Sequence, residues 1–86
     1  MNKYYTYVLR SEKDGRFYVG MTGNIERRIN EHNRGKVFST KGYLPWKLIK
    51  TEEFSSRREA REKEKYLKNG SGKENIKHYW SRSLTE

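Results

Sequence analysis

Apolar and polar positions change period several times along this chain, and each change marks an element. Tyr4 to Arg10 (Tyr-Tyr-Thr-Tyr-Val-Leu-Arg) is rich in aromatic and β-branched residues and reads as a strand. Phe17 to Met21 reads as a returning antiparallel strand. Between them Asp14-Gly15 has the composition of a two-residue type I′ turn, whose central residues both need positive φ. That turn sets Ser11 opposite Tyr18 and places Tyr7, Leu9 and Tyr18 on one face; a slip of one residue would send Tyr18 to the other.

Asn24 is positioned to cap a helix from Ile25 to about Arg34, with Glu26 in its first turn and Gly35 as its stop. Ile25 and Ile29 form its apolar stripe. Arg28 and His32 share that side, at the edge of the buried seam, while Arg27 faces away toward a backbone phosphate. Gly35 to Pro45 is a loop long enough to suggest a task of its own. Trp46 to Phe54 resumes strand composition. Ser56 and Glu59 form a capping box for the next helix, which Asn69-Gly70 closes. Along it Ala60, Glu64 and Leu67 fall at i, i+4 and i+7, so a carboxylate lies within the apolar seam. Burying it unpaired costs several kcal/mol unless a metal ion or an arginine compensates. Ser71 with Glu74 predicts a cap for a short last helix whose Ile76, Tyr79 and Trp80 face the body, and Ser81 to Glu86 read as a frayed tail. Residues 1–80 therefore form one domain with elements in the order β-β-α-β-α-α.

Composition narrows the class. With 86 residues, one domain with one modest core is expected, and only roughly 60–65% of the unfolded surface can be buried at this size. Hydrophobic residues make up 31% of the chain but aromatics 14%, so Tyr, Trp and Phe must supply much of the core. The absence of cysteine removes disulfides and thiolate zinc sites. No run approaches the ~18 apolar residues of a membrane span and the first residues lack a signal-peptide core, so a cytoplasmic location is expected. Lys and Arg number 20 against 11 Asp and Glu, a net charge of +9 spread through the elements. A polyanion is the natural partner, and nucleic acid fits better than anionic membrane, which calls for an amphipathic helix with a large apolar face.

Two phenols (Tyr7, Tyr18), a guanidinium (Arg28), an imidazole (His32) and a lone carboxylate (Glu64) are a set able to cut a phosphodiester with one divalent ion. Each has a plainer reading. The tyrosines can be sheet packing with wet hydroxyls, Arg28 can pair with Glu31, His32 can be a satisfied histidine near a helix C-terminus, and Glu64 can pair with Lys68. His78 belongs to no motif and reads as a surface residue.

In order and spacing these residues resemble the GIY-YIG nucleases over about Tyr4 to Lys77. Tyr5-Thr6-Tyr7 stands for the first signature tripeptide and Tyr18-Val19-Gly20 for the second, with Tyr7 and Tyr18 eleven positions apart. Arg28, His32 and Glu64 match the family arginine, histidine and metal-binding glutamate. Gly20-Met21-Thr22, Ser39-Thr40-Lys41, Pro45-Trp46-Lys47-Leu48 and Arg61-Glu62-Lys63-Glu64-Lys65 are similar to the short stand-alone bacterial members. The first tripeptide lacks its glycine, Met21 stands where excision-repair members carry lysine, and the late asparagine has no clear counterpart.

The resemblance implies an α+β fold, a three-stranded antiparallel sheet flanked by helices, and a DNA endonuclease active in repair or processing, with RNA not excluded. In that reading Glu64 holds one Mg²⁺ or Mn²⁺, Tyr18 orients or deprotonates the attacking water with support from Tyr7, and Arg28 clamps the developing charge. His32 bonds either a phosphate oxygen or Tyr7. Arg27, Lys36, Lys41, Tyr43 and Lys68 are the expected nucleic-acid contacts. Phe38, Tyr43 or Trp46 would stack on unpaired bases. A monomer is expected, with specificity supplied by a protein partner or by substrate structure. The rival reading is a nucleic-acid-binding module that keeps the fold without catalysis.

Overall fold

The structure, a computed structural model, describes residues 2–84. β1 (Tyr4–Ser11), β2 (Phe17–Thr22) and β3 (Trp46–Phe54) form an antiparallel sheet in the order β2-β1-β3, with α1 (Ile25–Asn33), α2 (Arg57–Lys68) and α3 (Gly70–Leu84) around it. The sheet is buried on both faces. On one, Tyr7, Leu9 and Trp46 form a cluster against which Ile25 and Ile29 of α1 pack. On the other, Val8 and Val19 meet Leu67 of α2 and Ile76 of α3. Alternation along β1 explains the division, because Tyr7 and Leu9 point one way and Val8 the other.

Strand pairing departs from the predicted register by two residues. Tyr18 lies opposite Leu9 rather than Ser11, and Gly20 lies opposite Tyr7. The cause is the turn. Asp14 does not take positive φ; among non-glycine described residues none does, and only Gly15, at +80°, supplies the left-handed step. The loop spans four residues between Ser11 and Arg16, and the fully buried Ser11 organises it. Its Oγ accepts from the Lys13 and Asp14 amides, its carbonyl accepts from the Gly15 amide at 2.8 Å, and its hydroxyl donates to the Tyr43 carbonyl at 2.7 Å. A shift of two preserves the face, so Tyr7, Leu9 and Tyr18 still share one side.

The helix signals locate the first two helices closely. Asn24 accepts from the Arg27 amide, Gly35 takes φ +74° just beyond α1, and Ser56 accepts from the Glu59 amide at the start of α2. The third helix is longer than expected. Asn69, not Ser71, is its cap, accepting from the Gly72 amide at 3.0 Å, and the helix continues through Ser81 to Leu84, where a frayed tail was predicted. Thr85 and Glu86 lie outside the described residues. Among the described residues, no helix is long and apolar enough to cross a membrane.

Candidate active site

Tyr7 is the centre of the site. Its ring, 1% exposed, lies across Gly20 of the neighbouring strand so closely that a methyl group at Gly20 would collide with the hydroxyl and Cζ and stand 2.9 Å from Cε2. A glycine at the third position of Tyr18-Val19-Gly20 is therefore a steric requirement of the first tyrosine.

Beyond Gly20 the Tyr7 hydroxyl meets Nε2 of His32 at 2.9 Å, and Nδ1 of His32 meets Oγ1 of Thr40 at 2.8 Å. His32 is fully buried, and that burial, with the nearby Arg28 charge, lowers its pKa to about 4, so the ring is neutral near pH 7. A neutral imidazole donates from one nitrogen only. Thr40 directs its hydroxyl to the Val37 carbonyl at 3.4 Å, so it accepts from Nδ1–H, and Nε2 is left to accept the Tyr7 proton. Of the two partners open to His32 in the sequence, phosphate oxygen or Tyr7, the buried ring takes Tyr7.

The Tyr7 pKa is raised, first by burial, while the Arg28 guanidinium beside its hydroxyl opposes that rise. Arg28 thus faces Tyr7 on one side and Glu31 on the other, its Nη1 3.0 Å from Oε1. Tyr18 packs its ring edge-on to His32, with centroids 5.0 Å apart, and lies 6.4 Å from Tyr7. Phenol, phenol, imidazole and guanidinium are therefore one cluster on the α1 face of the sheet.

Glu64 arrives from α2, between the buried Ala60 and Leu67, with its side chain 17% exposed. It lines a small groove with Met21, Arg61 and Lys65, and its negative charge reaches the Tyr7 hydroxyl, adding to the rise in that pKa. The predicted cost of a carboxylate in the seam is met by two cations, Lys68 Nζ at 3.1 Å and Arg61 Nε at 3.7 Å. The residues fit a hard divalent ion bound through a single carboxylate. No trio of His, Asp or Glu converges among the described residues, so such an ion must draw its remaining ligands from water and phosphate, as Mg²⁺ commonly does.

The expected nucleic-acid contacts scatter more widely. Arg27 is well exposed, 3.7 Å from Glu31, and Lys36 and Lys41 project from the loop after α1. Lys41 sits 4.8 Å from the exposed Phe38 ring. Tyr43 is half-buried with the Arg16 guanidinium 3.6 Å from its ring centre, and Lys68 is engaged with Glu64. Trp46, expected as a stacking platform, is 4% exposed and donates from Nε1 to the Thr40 carbonyl, so it is core. Thr40 and Gly20 lay within quoted motifs without a role, and their functions emerge only from the contacts.

Comparison with known proteins identifies the family and agrees with the fold. The GIY-YIG catalytic domain family matches residues 3–79. A UPF0213 protein of Bacillus licheniformis is 48% identical over 73 residues, covering 84% of this chain and 74% of its own. A second, from Clostridium perfringens, is 37% identical and covers 95% and 88%. The solution NMR structure of the UPF0213 protein BH0048 from Bacillus halodurans superposes with a TM-score of 0.55 at 34% identity, over 90% of this chain and 84% of that one. The GIY-YIG family is one of endonucleases, and the UPF0213 names specify no activity. This chain belongs to the GIY-YIG catalytic domain family.

Proposed function

We propose that this protein is a metal-dependent endonuclease that hydrolyses phosphodiester bonds in DNA. The observation that carries the reading is the directed chain Arg28, Tyr7, His32, Thr40, buried except at its Arg28 end, with the Glu64 carboxylate near enough for its charge to act on the Tyr7 hydroxyl. Because neutral His32 accepts from Tyr7, the phenol keeps its oxygen lone pairs turned toward Arg28 and the site. Tyr7 stays protonated at neutral pH, since burial raises its pKa, and so it positions rather than abstracts.

Tyr18, less buried than Tyr7, is left to orient the attacking water. The guanidinium of Arg28 bonds a non-bridging oxygen as negative charge builds there, exchanging its contact with Glu31 for one with phosphate. The water oxygen bonds phosphorus, the bond to the 3′ oxygen breaks, and the proton lost by water is balanced by the one the departing oxygen gains. Glu64 would hold a single Mg²⁺ or Mn²⁺, which when bound supplies Lewis-acid stabilisation and a more acidic water. Arg27, Lys36 and Lys41 supply backbone contacts around the site.

A plasmid-nicking assay tests the reading. Wild-type protein converts supercoiled DNA to open circles with Mg²⁺ or Mn²⁺, and Glu64→Gln and Tyr7→Phe reduce the rate by about 10² or more. Cutting by Glu64→Gln at the wild-type rate would remove Glu64 as the metal ligand. One observation favours a second reading, a binding module without catalysis: Glu64 already carries Lys68 and Arg61. DNA binding with no cleavage in either metal would establish it.

A further inference from the structure

A second groove, of about 550 Å³, opens on the other face of the sheet, between α2, α3 and the β3 edge, and shares no lining residue with the Tyr7–His32 cluster. The sequence builds it in steps. β1 pairs Val8 with Lys50 and Leu9 with Leu48, so Ile49 bulges without a partner. Ile49 then packs with Val8, Leu67 and Ile76, while Lys50 also turns toward the helices, its ammonium 4.8 Å from the Tyr79 ring centre. α2 adds Lys63, 5.3 Å from the Tyr66 ring, and α3 adds His78 and Arg82, one turn apart. Both tyrosines are fixed: Tyr79 donates to the Ile49 carbonyl at 3.2 Å, and Asn75 donates to the Tyr66 hydroxyl. The two ammonium groups thus sit on braced aromatic platforms rather than on mobile tethers. Among the described residues no carboxylate lines the groove; Glu52, 3.5 Å from Lys63, stands at its margin.

We infer that this groove binds a second segment of nucleic-acid backbone, so that one chain holds two polyanion segments on opposite sides of its sheet. The inference takes its ligand class from the nucleic-acid reading of the active site but does not depend on cleavage. Charge complementarity selects the occupant: the groove offers the Lys50 and Lys63 ammonium groups, the Tyr66 hydroxyl and the Asn75 amide, donors from which phosphate and sugar oxygens accept. A lipid surface would call instead for several projecting apolar residues; of the described residues lining this groove only Tyr79 is an exposed large hydrophobic, and its hydroxyl is tied to the Ile49 carbonyl. The molecule measures 35 × 29 × 24 Å, so one straight duplex meets one surface, and two arms of a junction are needed to meet both.

The test measures binding by fluorescence anisotropy in EDTA, where nothing is cut, with a four-way DNA junction and with one short duplex arm as probes. For Lys50→Gln/Lys63→Gln, junction affinity falls about tenfold at 0.1 M salt and the slope of log K against log [salt] flattens by about 2. Affinity for the single arm changes less than about twofold, because the active-site surface remains. Lys50→Arg/Lys63→Arg retains junction affinity. Unchanged junction affinity and slope overturn the inference, as does an equal loss on both probes, which would make the groove the sole surface. Loss of binding to phosphatidylserine vesicles with unchanged DNA affinity overturns it in favour of a membrane. Should the Gln variant unfold, lysine acetylation of wild-type protein decides: protection of Lys50 and Lys63 by the junction is expected, and unprotected lysines refute the site. A chain that shows these losses yet never nicks plasmid leaves this inference standing and removes the nuclease reading.

Discussion

At the scale of single residues the site rests on two that the motif letters leave silent, Gly20 and Thr40. The sequence makes Tyr7, Tyr18, Arg28 and His32 legible because their chemistry and spacing are distinctive. Gly20 appears only as the end of a tripeptide, since its role is the absence of a side chain under Tyr7. Gly20→Ala should displace the Tyr7 ring, breaking its bond to His32, and destabilise the fold by about 1–3 kcal/mol by overpacking. Urea unfolding and loss of nicking check both effects together. Thr40 lies in a loop whose length alone hinted at a task, yet its hydroxyl fixes which nitrogen of His32 carries the proton. Thr40→Val retains the shape and leaves Nδ1–H without an acceptor. A loss of about 1–3 kcal/mol in stability is expected, with Thr40→Ser close to wild type. His32 adds a pH dependence whose sign follows from its lowered pKa. The unfolded ring takes up its proton near pH 6.5 and the folded ring only near pH 4, so this contribution is complete above 6.5 and is lost as pH falls toward 4. The gap corresponds to about 3 kcal/mol, read as a falling urea midpoint between pH 7 and 4.5 that flattens in His32→Gln.

At the scale of elements, local signals located starts and stops well and long-range pairing poorly. Asn24, Gly35 and the Ser56–Glu59 box satisfy orphan backbone groups within a few residues of themselves, so the sequence alone locates them. The hairpin register depended instead on Ser11, whose hydroxyl is shared between two turn amides and the distant Tyr43 carbonyl; Asp14-Gly15 read in isolation could not reveal that competition. The bulge at Ile49 was equally invisible, because the apolar pattern of Trp46 to Phe54 is compatible with unbroken pairing. α3 was underestimated for a related reason. Its start is fixed by Asn69 and by the tight seat of Gly72 on the end of α2, where a methyl group would run into the Tyr66 carbonyl and the Leu67 Cα. Backbone cannot yield there as a flexible side chain can. Gly72→Ala should therefore cost about 2–3 kcal/mol and lower the melting temperature by roughly 10–20 °C, measured by circular dichroism. A control at Gly70, where a methyl group meets nothing within 4 Å, should change stability far less.

For the molecule as a whole, the cations around the site are paired with carboxylates: Arg28 with Glu31 on the α1 face and, along α2 at the β2 edge, Lys68 and Arg61 with Glu64. On the proposed mechanism such pairs hold the site together in the absence of ligand and would exchange partners when phosphate or a divalent ion arrives. On that proposal fold and metal are therefore uncoupled: Glu64 is already compensated by cations of its own helix, and among the described residues the core clusters contain no carboxylate or other group awaiting an ion. This differs from a structural metal site, in which binding free energy is folding free energy. Chelation separates the two cases. EDTA should abolish nicking while leaving the melting temperature and the salt-dependent DNA affinity of a chain with net charge +9 essentially as they were. Restoring Mg²⁺ or Mn²⁺ should restore cutting to wild-type protein but not to Glu64→Gln. A marked fall in melting temperature on chelation would show that an ion supports the fold itself, and Lys68 and Arg61 would then be insufficient partners for Glu64.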